Sequence, residues 1–263
     1  MPWDLLVDRS DLAVTSLVDV PLPSLEEGEA VLRVDRVGLT ANNVTYAVFG
    51  DAMNYWQFFP APEGFVRGPR WGVGDGVASP PEGVAVGQRV SGYFPTSSRL
   101  LVQPGGVSEG GCRDVSPNRA GLPSPYNGYQ RVDADPAYEQ DSEDLQALYR
   151  PLFFTSFLLA DFLADNGYFG AKAAVLSSAS SKTAYGTAFL LDGIHRVGLT
   201  SPSNVEFTSS LACYDAVLSS AQADRPPPDL PTPCPQLPVG PWLRAAVAHR
   251  RDGAEASWHP AGV

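Results

Sequence analysis

The stretch that most constrains this chain is residues 173–191, AAVLSSASSKTAYGTAFLL. Its apolar start, Ala173, Ala174, Val175 and Leu176, reads as a buried strand. Ser177, Ser178, Ala179, Ser180, Ser181 and Lys182 follow as a turn of small residues with one cation, and 183–191 continue in small and apolar residues that suit a helix. Strand, small turn and helix together aim the unsatisfied N–H groups of a helix start at an anion. Without bulky side chains in the way, a phosphate could reach the backbone. The serine hydroxyls could donate to it and Lys182 could neutralise it. The same residues also suit a plain helix start capped by Ser180 or Ser181. Lys182-Thr183 imitates the close of a P-loop, but Ala or Ser stand where that loop needs glycine. There is also no acidic second strand for magnesium, so a P-loop phosphotransferase is disfavoured.

The flanking sequence extends the pattern. Residues 194–200 (IHRVGLT) read as a second strand, Ser201, Pro202, Ser203 and Asn204 as a turn, the piece to 211 as helical, and 214–219 as a third strand. That is βαβαβ, the mononucleotide-binding half of a doubly wound α/β sheet. A dinucleotide site selective for NAD carries an acid at the end of the second strand to hold the ribose hydroxyls. Here the positions are Thr200, Ser201, Ser203 and Asn204. A neutral cluster of this kind tolerates a 2′-phosphate, so NADP(H) is expected over NAD(H), with Ser177 to Thr183, Thr200, Ser201 and Asn204 as the binding residues.

Composition excludes other classes. The formal charge of −11 opposes non-specific nucleic-acid binding and attachment to an anionic membrane. Cys112, Cys213 and Cys234 are far apart and form no C-x-x-C pair, which suggests neither a zinc module nor a disulfide framework and fits a reducing cytoplasm. With only His195, His249 and His259 as imidazoles, no metal site is expected. His195 opens a strand and reads as structural. No run of eighteen apolar residues occurs, so no transmembrane helix is expected, and the start MPWDLLVDRS does not read as a secretory signal.

Residues 1–105 read as all-β. Strands are expected near 12–20, 29–39, 71–79, 88–93 and 99–103, and frequent glycines between them suggest a barrel. Residues 106–142 are loop-rich. Within them PNRAGLPSPYNGY (117–129) gathers Arg119, Tyr126, Asn127 and Tyr129, of which Arg119, Tyr126 and Tyr129 are candidates for a substrate pocket. A long helix is expected over 142–165, with Ser142 as its cap and Pro151 kinking or dividing it. Its apolar side, including Leu148, Phe153, Phe157 and Leu158, suits burial between domains.

This order of parts resembles the medium-chain dehydrogenase/reductase superfamily in its quinone-oxidoreductase-like branch. EAVLRVDRVGLTANNVTYAVFG (29–50) is similar to that superfamily's strand and turn before the active site, and VGQRVSGYFPTSSRLLVQP (86–104) to its G-D-R-V strand pair. More closely, PNRAGLPSPYNGY, RPLFFTSFLLADFL and VLSSASSKTAYGTAFLL resemble the DUF2855 family, the likeness covering about 1–220. The resemblance implies a GroES-like β-barrel over 1–140 and, over 141–220, a linking helix with a partial Rossmann domain, nicotinamide lying in the cleft between. Zinc-dependent members carry a cysteine ligand where this chain has Thr40, and their G-H-E motif has no counterpart here. A zinc-free, NADP(H)-dependent oxidoreductase is implied, with Asn43 and Tyr46 as candidate catalytic residues that hydrogen-bond a substrate carbonyl.

The likeness fades at about 219, and 221–263 form a Pro-rich tail read as irregular, with one weakly helical piece at 242–250. A Rossmann half-sheet that ended here would leave a sheet face and edge uncovered and favour aggregation or completion by a partner chain, so a homo-oligomer stays open. Two readings follow. One is an oxidoreductase acting on a small carbonyl, enone or quinone-like substrate. The other is a non-catalytic, truncated or sensor-type dinucleotide-binding protein.

Overall fold

The computed structural model describes residues 1–78 and 84–222. The expected irregular tail, the helical piece at 242–250, Cys234, His249 and His259 lie outside the described residues. The chain divides into two compact units, the first Met1–Leu158 and the second beginning at Leu159.

The first unit is built of β1 (Trp3–Asp8), β2 (Thr15–Asp19), β3 (Ala30–Val37), helix α1 (Ala41–Val48), β4 (Phe65–Val66), β5 (Arg70–Ala78), β6 (Arg89–Phe94), β7 (Arg99–Val102), β8 (Pro104–Ser108), β9 (Gly111–Asp114) and β10 (Gly128–Arg131). Where the sequence suggests a barrel, the structure has a seven-stranded antiparallel sheet, order β7-β3-β5-β6-β10-β9-β8, and a three-stranded sheet, β2-β1-β4. An isolated bridge from Asp4 to Ser97 connects β1 with the turn before β7. In β3 the residues Val34 and Val37 both pack on the core although they stand three apart. A register shift between Val34 and Arg36 explains this, because a bulge resets the two-residue alternation. Strand β1 escapes a period-2 reading because Leu5, Leu6 and Val7 run consecutively, and only Leu6 is fully buried. Strands β8, β9 and β10 fall where the sequence reads as loop. They are four or five residues long and rich in glycine and polar side chains, so pairing rather than local propensity makes them strands.

The core of this unit is aromatic. Tyr93 and Phe94 have no exposed surface, and Phe58 and Tyr129 only 1%. Arg89, at the start of β6, is the polar counterpart. It bonds Glu143 through Nε at 2.6 Å, Asp75 through Nη1 at 2.8 Å and Asp35 through Nη2 at 2.8 Å. Glu143 is the first residue of α2 (Glu143–Asp165), so this cation fixes the start of the long helix to the sheet. The Arg89 hydrogen bond, opposed by burial, holds the Glu143 carboxyl below its usual range.

Helix α2 is one helix, and Pro151 lies inside it without dividing it. The carbonyl that loses its donor to the proline, that of Ala147, packs on Gly38, where an added Cβ would lie 3.2 Å from the oxygen. On its apolar side Leu148 is half-buried against Gly38, where an added Cβ would lie 3.1 Å from its Cδ2. Phe153, Phe157 and Leu158 remain 44%, 47% and 49% exposed. The helix is apolar nearly all round, so covering one face leaves the others open. By length and composition alone, Gln140–Asp165 is long and apolar enough to cross a membrane, at a mean hydropathy of 1.3, although no unbroken run of eighteen apolar residues occurs.

The second unit contains β11 (Ala173–Ser177), α3 (Lys182–Leu190), β12 (His195–Thr200), α4 (Val205–Ser210) and β13 (Ala216–Ser219). The strands pair in parallel in the order β11-β12-β13. This is the expected βαβαβ unit. Its small core centres on Ala160, Leu191 and Ile194.

Candidate dinucleotide and substrate sites

The serine-rich turn leaves the carboxyl end of β11 and enters α3. Ser178 sits at φ +50°, the left-handed region that glycine usually occupies. Ala179 is fully buried; its N–H bonds the carbonyl of Leu199 at 3.1 Å, and its carbonyl accepts from the Tyr214 hydroxyl at 2.9 Å. Gly198 of β12 makes this close approach possible, since an added Cβ would stand 3.0 Å from the Ala179 methyl. Ser181 caps α3, its hydroxyl accepting from the N–H of Ala184 at 3.4 Å. Ser177, Ser178, Ser181 and Lys182 are exposed around this helix start, while Thr183 is half-buried behind it.

The neutral residues after β12 converge on the same turn. The Ser180 hydroxyl accepts from Thr200 Oγ1 at 3.3 Å and from Asn204 Nδ2 at 3.2 Å. Thr200 is 3% exposed, so its hydroxyl is committed to the turn. Ser201 contacts Ser203, hydroxyl to hydroxyl, at 3.2 Å. Residues twenty apart are therefore joined at the carboxyl ends of two parallel strands, where open α/β sheets bind ligands. Ala179 lies within the turn expected to bind the dinucleotide, whereas Gly198 and Tyr214, which also shape it, are not legible as turn residues in the sequence. A glycine inside an otherwise apolar strand is the signal that points to such an approach.

His195 opens β12, with Nδ1 3.8 Å from Asp215. Arg196 holds the same carboxylate by side-chain bonds of 2.8 and 3.1 Å and through its backbone N–H at 2.7 Å. Those Arg196 hydrogen bonds lower the Asp215 pKa to about 2.

The other candidates belong to the first unit. Asn43, on α1, accepts the Thr40 N–H at 2.7 Å and points Nδ2 at the Pro69 carbonyl at 3.4 Å. Its amide starts the helix. Tyr46, one turn on, enters an aromatic cluster. Its ring lies 4.6 Å from Tyr55 and 5.8 Å from Tyr93, and Tyr93 lies 4.7 Å from Tyr126. The Tyr46 hydroxyl interacts with the side chains of Trp71 and Tyr126. Burial is the main force raising the pKa of Tyr46, Tyr93 and Tyr126, so all three are neutral hydrogen-bond donors at physiological pH. Arg70 stands beside Tyr93 with no carboxylate partner among the described residues, and burial lowers its pKa. The Tyr93 hydroxyl is buried without a hydrogen-bond partner. Tyr55, Arg70, Trp71 and Tyr93 went unread in the sequence. The dense aromatic run Tyr55, Trp56, Phe58 and Phe59 is the visible signal for Tyr55 alone.

Two of the three expected pocket residues are buried, and Tyr129 also lines a groove beside α2. Arg119 is 3% exposed, with Nε 3.3 Å from Asp114 and its guanidinium 4.6 Å from the Phe59 ring centre. Paired and stacked on rings, it holds the 117–129 loop down. Tyr129 is buried, and its hydroxyl donates to the Tyr93 carbonyl at 2.7 Å. Only Tyr126 joins Tyr46. Among the described residues no group of three or more His, Cys, Asp or Glu side chains is placed to hold a metal.

An antiparallel β unit followed by a parallel βαβαβ unit is the layout of the medium-chain dehydrogenase/reductase fold. Solved structures share it. A quinone oxidoreductase from Coxiella burnetii matches with a TM-score of 0.52 at 14% identity, covering 85% of this chain and 63% of that one. CurA from Vibrio vulnificus matches with a TM-score of 0.52 at 16% identity, covering 85% of this chain and 59% of that one. The quinone oxidoreductase from Thermus thermophilus, solved also in complex with NADPH, gives a TM-score of 0.47 at 16% identity, covering 84% and 60%. The chain thus spans about three fifths of the length of these proteins. No curated protein matches it in sequence. Within that fold the chain belongs to the DUF2855 family, described as a protein of unknown function, whose model matches residues 37–232.

Proposed function

We propose that this protein is an NADP(H)-dependent, zinc-independent oxidoreductase acting on a small carbonyl, enone or quinone-like substrate. The observation that carries the reading is the hydroxyl-and-amide cluster of Ser180, Thr200 and Asn204 at the carboxyl ends of β11 and β12, beside the α3 N-terminus. It offers hydrogen-bond donors and no carboxylate, which fits a phosphorylated ribose. Ser177, Ser178, Ser181 and Lys182 would hold the phosphates, with Ala179, Thr183 and Ser201 shaping the turn. When bound, the nicotinamide supplies or takes up the hydride. The neutral hydroxyls of Tyr46 and Tyr126 donate hydrogen bonds to the substrate oxygen, and Asn43 keeps α1 in the position that presents Tyr46. Thr40 and Asn43, spent on the helix start, bring neither thiolate nor imidazole to that place. Cys112 and Cys213 are buried free thiols, and a reducing compartment is the setting we assign.

The test is a fluorescence titration of the full chain with NADPH and NADH, repeated on Lys182→Ala. NADPH should bind tighter than NADH. The variant should lose about 1.5–3 kcal/mol, roughly ten- to a hundredfold in affinity, as expected for a charge-assisted contact. Equal affinity for both nucleotides, or none, removes the reading. A second reading, a sensor that binds the dinucleotide without turnover, draws on the 9% exposure of Tyr46 and on the committed amide of Asn43. Binding of NADPH with no oxidation over a panel of quinones and enals would select it.

A further inference from the structure

The first unit holds a feature that the proposed chemistry does not use. A groove of about 1030 Å³ lies between α2 and the strands β5, β6, β8, β9 and β10. Its wall is Leu145, Phe153, Phe154 and Phe157, which are 57%, 44%, 55% and 47% exposed. Trp71, whose ring also packs 5.7 Å from Tyr126, lines it as well. The floor carries little bulk: an added Cβ at Gly128 would meet nothing nearer than 4.0 Å. A volume at the upper end of the small-molecule range, aromatic walls and few polar groups are the marks of a ligand site.

Two arginines line the groove, and they differ. Arg150 is neutralised by an ion pair with Asp135 and bonds Gln130 Oε1 at 3.2 Å. Arg113 donates to the Ser124 hydroxyl at 2.7 Å and to its carbonyl at 3.2 Å, and has no carboxylate partner among the described residues. Neutral acceptors orient this guanidinium and leave its charge available for an anion. A second copy of the chain is a poor occupant, since it would bring a further charge of −11 to a protein that already carries −11.

We propose that the groove binds an amphipathic carboxylate, an acyl chain of medium length lying along the phenylalanine wall with its carboxylate on Arg113. This binding is non-covalent and stands whether or not the oxidoreductase reading holds. Calorimetric titration of the full chain with octanoate, decanoate and 1-decanol tests it. Affinity should rise about fourfold per methylene from octanoate to decanoate, the increment for burying a CH₂. Decanoate should bind tighter than decanol, and Arg113→Gln, at an exposed position, should weaken decanoate about tenfold while leaving decanol unchanged. Phe157→Ala should flatten the dependence on chain length. The proposal is overturned if decanoate shows no saturable binding, if decanol binds as tightly as decanoate, or if the chain dimerises in solution and decanoate neither competes with the dimer nor binds the monomer.

Discussion

The two units bury their side chains to different degrees. In the first, Leu32, Val90, Tyr93 and Phe94 are at most 1% exposed and pack with Phe58, Tyr129 and others in one continuous cluster. In the second, among the described residues, the buried cluster is Ala160, Leu191 and Ile194, and a strand residue such as Val175 is 52% exposed. A parallel sheet of this kind is normally covered on both faces. The first unit therefore derives its order from packing. The second, among the described residues, is packed more lightly, and its charged pair Arg196–Asp215 is more exposed than the Arg89–Glu143 pair of the first. It follows that a candidate site set in a rigid aromatic core and one set in a lightly packed turn should respond differently to mutation.

The largest effect that sharpens this contrast is truncation in the first core. Phe94→Ala removes a ring with no exposed surface and should cost about 3–5 kcal/mol in urea unfolding. Leu191→Ala, in the small cluster, should sit near about 2 kcal/mol, the lower end for such a change. Equal costs would remove the distinction. Next comes the polar anchor of α2. Arg89→Ala strands Glu143, only 4% exposed, together with Asp75 and Asp35, and should cost about 3 kcal/mol, as when one partner of a buried pair is removed. Arg89→Lys should recover only part of this, because one ammonium cannot reproduce the Nε and Nη bonds to three carboxylates. Full rescue by lysine would show that charge alone holds the helix start.

How legible these regions were in the sequence follows from the same contrast. The βαβαβ unit could be read because each element announces itself locally: an apolar run, a serine turn, a helix, then a second run ending in Thr200. The turn's interior could not be read. That Ser180 would meet Thr200 and Asn204 depends on strand pairing, and that Ala179 would tuck under Gly198 depends on a missing side chain across the sheet. In the first unit β2, β3, β5, β6 and β7 fall where strands are expected, whereas β8 to β10 do not, because glycine and polar residues become strands only beside a partner. Arg119 was read as a pocket cation because sequence shows its charge and hides Asp114 and the Phe59 ring. Tyr46 and Tyr126 lie far apart in the chain and meet only through the aromatic core.

The smallest effect concerns acid, and it separates the two units by which carboxylate is removed. Asp215 has a folded pKa of about 2, lowered chiefly by Arg196, against an unfolded value of about 3.9. A depressed folded pKa means that its stabilisation is complete above about pH 5, shrinks as the pH falls below the unfolded value, and is gone below about pH 2. The side chains of Arg196 and Asp215 are 28% and 32% exposed, so the pair contributes about 0.2–1 kcal/mol. Asp215→Asn should therefore lower the urea midpoint slightly at pH 7 and make the decline between about pH 5 and pH 2 shallower. Glu143 in the first unit is shifted in the same direction by Arg89, and Glu143→Gln should lose more at pH 7 because its carboxylate is buried. If Asp215→Asn loses as much at pH 7 as Glu143→Gln, burial does not set the strength of these charged pairs, and the contrast between a tightly and a lightly packed unit fails.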